Sequence, residues 1–226
     1  MNTFKYIALG ICCLFLFSTC EEPPVVFTSP QPHGGTNNPY ISPVYRGSFI
    51  CQSDSAVVKS NATTIYKEKN YSAVVSEEEL KAMNDVRIDP DSIYVEGWLE
   101  AIPYQRVGDS IHATVYLRDT IFHLGENQRV RYFRGHQVIS KKLDDLKWEV
   151  IVFSLDDELD LRMFKAVMPE ELEALKEITP VKDISTQDKE QLLISPTVME
   201  FKQLLDHKLI FEECDYFKRT RPVTTI

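Results

Sequence analysis

The chain reads as a mainly β (α+β) protein: an antiparallel β meander or half-barrel with a few short helices, mostly C-terminal. Three observations predict this. Between residues 45 and 165, short runs rich in Val, Ile, Thr, Phe and Tyr alternate with Gly, Asn, Asp and Ser, the composition of strands and their turns. The connections there are too short for helical crossovers, so neighbouring strands are expected to pair antiparallel. Clear helical stripes return only after Pro169.

Residues 1–19 precede that domain. Lys5 leads twelve uncharged, mostly apolar residues, 6–17, bounded by Ser18, Thr19 and Cys20. This charged, apolar, small order is that of a secretory signal. Twelve residues fall short of the roughly 20 that a membrane-spanning helix needs. The Phe17-Ser18-Thr19-Cys20 junction resembles a bacterial lipoprotein signal, with Phe17 where Leu is usual and Thr19 where Gly or Ala is usual. The resemblance implies that residues 1–19 are removed and that the Cys20 thiol takes a diacylglyceryl group. Palmitate-type chains would then hold the mature protein stably, at about 0.8 kcal/mol per buried methylene. The alternative is an ordinary signal peptide with an incidental cysteine. Residues 20–44 carry six of the twelve prolines together with Gly34, Gly35, Asn37 and Asn38. They show no apolar period and are expected to form an extended tether, at about 3 Å per residue.

A single β-rich domain is expected over residues 45–226. Its first strands fall at 48–52, 56–59, 63–67 and 72–75. Ser76 and Glu79 form a capping-box pair that opens a helix over 77–83. Strands follow at 93–99, 110–117, 120–124, 129–134, 137–141, 148–154 and 158–165. Ile111, Ala113, Val115 and Leu117 share one face. Trp148, Val150 and Val152 point one way and Ile151 and Phe153 the other, so that strand is expected to be covered on both sides. Pro169 leads a helix over 170–178, and Ser195-Pro196 opens another over 197–206 with Val198, Phe201, Leu204 and Leu205 on one stripe. Residues 211–217 read as a last strand.

Removal of the first 19 of 226 residues leaves 207, with 24 basic and 34 acidic side chains because Lys5 is lost. A net charge of −10 argues against nucleic acid and against polybasic attraction to anionic lipid. Cys51 and Cys214 remain in an oxidising compartment. A bridge between them would close a loop spanning most of the domain, worth about 5 kcal/mol in the chain-entropy view; two unpaired thiols are the alternative. No Cys/His cluster suggests a metal, and no motif suggests a cofactor. His112 and His123, on adjacent expected strands, would need a third ligand. Gly108-Asp109-Ser110 is similar to the nucleophile block of GDSL-type esterases, but neither His136 nor His207 follows an Asp at the required spacing. Asp156, Glu158 and Asp160 alternate with Leu159 and Leu161 as a strand's solvent face does. The aromatic group Trp98, Tyr104, Tyr116, Phe122, Tyr132, Phe133, Trp148 and Phe153 suits a core, or else the lining of a barrel cavity.

Four triplets combine Asp, Ser or Thr, and an apolar residue, placing Ser55, Ser92, Ser110 and Thr120 second. They resemble the O-glycosylation acceptor pattern of exported Bacteroidota proteins, although turn chemistry at strand starts explains them equally. Cys20, the acidic Glu21-Glu22 and the proline-rich segment resemble uncharacterised Bacteroidota cell-envelope lipoproteins. Gly108-Asp109-Ser110, Thr120-Ile121-Phe122, Tyr132-Phe133-Arg134-Gly135, Trp148-Glu149-Val150 and Leu159-Asp160-Leu161 extend the similarity. It implies a lipid anchor in the outer membrane and exposure at the cell surface, and it brings no catalytic residues with it. The expected function is a non-enzymatic binding or assembly component with an envelope protein partner. A lipocalin-like carrier of a small apolar ligand would need a closed barrel with a cavity of at least about 300 Å³. A hydrolase would need His112, His123 or His136 beside a carboxylate and a nucleophile.

Overall fold

A computed structural model of the chain describes residues 22–98 and 100–220. The signal segment 1–19 and Cys20 lie outside the described residues. As expected, the fold is mainly β, 48% strand against 12% helix. The sheet does not close into a barrel, so the lipocalin-like outline is not realised.

In chain order the strands are β1 (Val25–Phe27), β2 (Gly47–Cys51), β3 (Val57–Ser60), β4 (Thr64–Ser76), β5 (Val86–Ile88), β6 (Ser92–Val95), β7 (Ile102–Val107) and β8 (Ser110–His123). They continue with β9 (Gln128–Phe133), β10 (His136–Lys142), β11 (Trp148–Leu155), β12 (Leu161–Ala166), β13 (Val181–Asp183), β14 (Leu192–Ile194) and β15 (Phe211–Arg219). The helices are α1 (Glu77–Lys81), α2 (Leu172–Ile178) and α3 (Val198–Asp206).

The described residues divide into two compact units, where one domain from residue 45 was expected. The smaller is built from Lys69–Leu117 and the larger from Pro23–Glu68 and the chain from Arg118 onwards. Strands β4 and β8 contribute residues to both.

In the larger unit the hydrogen-bonded order is β13-β14-β1-β11-β12-β15-β2-β3-β4, with β10 and then β9 branching from β11. Pairing is antiparallel except between β1 and β14. The two faces of β11 enter different clusters, as its residue pattern predicts. Ile151 and Phe153 pack with Phe49, Phe122 and Phe217. Trp148, Val150 and Val152 pack with Phe27, Leu175 and Phe201 from β1, α2 and α3.

The segment expected as a free tether is part of this core. Val25, Val26, Phe27, Gln31 and Ile41 are fully buried, and the amides of Asn38 and Ile41 donate to the carbonyls of Val130 and Ala62, both at 2.8 Å. Burial of two valines and a phenylalanine at about 1.5–3 kcal/mol each is what holds this stretch in place against its proline content. Prolines flank the strand and do not interrupt its ladder.

In the smaller unit the order is β4-β8-β7-β6-β5. Among the described residues its buried apolar side chains are Leu80, Ile93 and Ile111. Helix α1 has the expected capping box: Ser76 Oγ accepts from the Glu79 amide at 3.2 Å, and the Glu79 carboxylate accepts from the Ser76 amide at 3.1 Å. Helix α3 carries a second box at Thr197 and Glu200, two residues beyond the expected Ser195 cap.

Candidate functional site

A group of titratable and nucleophilic side chains in the larger unit is drawn from β15, β2 and β4, with β3 lying between the last two. The tight turn after β2 is closed by the Cys51 amide donating to the Ala56 carbonyl at 2.8 Å, and Ser55 takes a positive φ of 60°. Asp54 Oδ1 accepts from the Ala56 amide, so its other oxygen lies 3.1 Å from Lys67 Nζ on β4. Lys67 Nζ is also 3.6 Å from Asp215 Oδ2 and 3.9 Å from Cys51 Sγ. Asp215 Oδ1 accepts from the Cys51 thiol at 2.9 Å and from the Ser53 hydroxyl at 2.8 Å.

The electrostatics of this group run against nucleophilic chemistry. Burial, reinforced by the hydrogen bond to Asp215, raises the Cys51 thiol above its usual range. Burial alone would lower the Lys67 ammonium and raise the Asp54 carboxyl. For Asp54 the hydrogen bonds from the Ala56 amide, the Cys51 side chain and Lys67 outweigh it, and for Lys67 the Asp54 hydrogen bond and the Asp215 charge do, so Asp54 moves well down and Lys67 up. A thiol held protonated is a poor nucleophile and a charged ammonium cannot accept a proton, so neither Cys51 nor Lys67 is activated at neutral pH. The arrangement works as an ion-paired lock across three strands.

Cys51 and Cys214 are both free thiols in this structure, the second of the two alternatives. Cys51 stands opposite Phe217, and its sulfur is engaged with Asp215. Cys214 is the extra residue of a β-bulge: Met163 pairs with Asp215 and Phe164 with Glu213, leaving Cys214 without a cross-strand partner. Its thiol donates to the Met163 carbonyl at 3.3 Å, and desolvation of the sulfur pushes it up to about 11 although the residue as a whole is exposed.

The other expected site residues are scattered. His112 and His123 lie on the same strand, β8, not on neighbouring strands, because Arg118-Asp119 does not turn. The Arg118 guanidinium instead bonds the Glu68 carboxylate on β4 at 2.7 and 3.1 Å, carrying the strand straight through. Among the described residues no group of three or more His, Cys, Asp or Glu is placed to hold a metal. Ser55 and Thr120 are exposed, and Ser92 and Ser110 are half-buried. The aromatic group does not line one cavity: Phe122 and Phe153 are core, whereas Tyr116 and Tyr132 are half exposed.

The smaller unit has an open groove of about 500 Å³ where β7 begins. Its lining is mostly apolar, with Trp98, Ile102, Val115 and Leu117, and includes Glu100. Residues 69–117 hold nine acidic and four basic side chains, so the groove lies in a strongly acidic unit.

Sequence reasoning missed Arg131. Its buried guanidinium donates to the carbonyls of Pro30 at 2.7 Å and Pro32 at 2.6 Å, and to Asn37 Oδ1 at 2.8 Å. It therefore clasps the proline-rich segment to β9. No local signal marks this role, because the partners are about one hundred residues away. No family model, curated protein or solved structure matches the chain.

Proposed function

We propose that this protein is a lipid-anchored component of the cell envelope that binds a protein partner and performs no chemistry of its own. The address is supported by the signal-like head ending at Cys20. The observation that carries the binding role is the apolar groove of the smaller unit, where Leu117 is 39% and Tyr116 51% exposed. Exposed apolar surface of this kind marks an interaction site when it is contiguous. A carrier reading is supported less well: the groove exceeds the roughly 300 Å³ a small ligand needs, but it is open and its sheet is not closed.

Photo-crosslinking in cells tests this reading. A benzoylphenylalanine at Leu117 is expected to give one discrete protein adduct that is lost with Ile102→Asp, while the same probe at Tyr132 in the larger unit gives none. Adducts at both positions, at neither, or only of small-molecule mass at Leu117 would contradict it.

A further inference from the structure

We propose that the larger unit is held directly against the lipid headgroups by one defined end, on a leash of three residues. This rests on the reading of Cys20 as the lipidated residue. The Pro23 carbonyl accepts from Gln191 Nε2 and the Pro24 carbonyl from the Leu192 amide, both at 2.8 Å. Val25 then enters β1 fully buried. The chain is therefore part of the fold from Pro23 onwards, and a fully extended path from Cys20 to Pro23 spans at most about 11 Å. A tether of some twenty residues would let the unit turn freely, whereas three residues cannot.

Strand register identifies the end that faces the lipid. Val25 stands beside Leu192 in the parallel pair, so the β13–β14 connection, residues 184–191, projects past the start of β1. Phe27 stands opposite Trp148 in an antiparallel pair, so β11 runs back past the start of β1 and its turn, residues 156–160, lies at the same end. The β10–β11 turn, residues 143–147, lies at the other end. The eight residues of β11 separate the two ends by roughly 26 Å at about 3.3 Å per residue. The lipid-facing turns carry Asp156, Asp157, Glu158, Asp160, Asp188 and Glu190 against Lys189, and Arg162 and Arg219 beside them bond Asp156 and Asp160, so this end presents no cationic excess that would adsorb it to anionic headgroups. The leash holds this end near the membrane without adsorption or insertion.

The test uses the full lipidated protein in vesicles of phosphatidylethanolamine and phosphatidylglycerol carrying a headgroup quencher. In a Cys214→Ser background a fluorophore is placed at Gln187→Cys or at Leu146→Cys; both native residues are exposed. The label at 187 is expected to be quenched several-fold more than that at 146. Insertion of roughly twelve Gly/Ser residues after Glu22, adding about 19 Å of reach, should abolish the difference. The Cys20→Ala protein should not associate with the vesicles. Equal quenching at both sites, a difference that survives the insertion, or adsorption of Cys20→Ala overturns the proposal while leaving the anchor intact. Intact mass separates the other failure: a mature chain without acyl groups at Cys20 overturns the anchor and the leash together.

Discussion

Lys67 shows how a single side chain can join elements that no local sequence rule connects. It lies between Asp54 and Asp215 with a quarter of its side chain exposed. Lys67→Met should cost about 1–3 kcal/mol in urea unfolding, because two partly buried carboxylates lose their cation. The pH dependence follows from Asp54, whose folded carboxyl lies below its unfolded value of 3.8. Its contribution is complete above that value and is lost as pH falls further, so the wild-type advantage over Lys67→Met should shrink in acid. Arg131→Ala should cost more, about 3 kcal/mol, because buried carbonyls at Pro30 and Pro32 lose a charged donor. The thiols give a third check. Alkylation of the unfolded mature protein without reductant should modify both Cys51 and Cys214, and in the native state Cys51 should be protected. A mature chain in which neither reacts until reduced would restore the disulfide.

At the scale of elements, the sequence is legible where the signal is local. The α1 capping box, the two-sided pattern of β11 and the Phe201/Leu204 stripe of α3 can all be read within ten residues, and all three are present. Two failures have one cause. β1 has three residues, too few for a period, and its parallel partner β14 lies more than 160 residues away. β4 and β8 were each divided in two by polar residues that suggest turns. Those breaks disappear because Glu68 on β4 accepts from Arg118 on β8 and from Lys59 on β3, at 2.7 Å in each case. Charged residues in mid-strand signal a turn only when no cross-strand partner neutralises them.

At the scale of the whole molecule the two units differ in how much core they have. Among the described residues three buried apolar side chains support the smaller unit, whereas the larger has two extensive clusters on opposite faces of β11. So small a core supplies little of the free energy that holds a unit closed. Hydrogen exchange should therefore be faster by orders of magnitude in β5, β6 and β7 than in β10 and β11. Comparable protection in both sets would mean that the smaller unit is stabilised by contacts other than its own core.

The central claim is that the proline-rich segment is a structural part of the larger unit and leaves only a short leash to Cys20. The measurement that tests it most directly is hydrogen exchange of peptides covering residues 23–42 in the mature protein. Protection of the Phe27, Asn38 and Ile41 amides on the timescale of β11 is the predicted result. Complete exchange of the whole segment within seconds, with β11 still protected, would contradict it and return residues 20–44 to the role of a free tether.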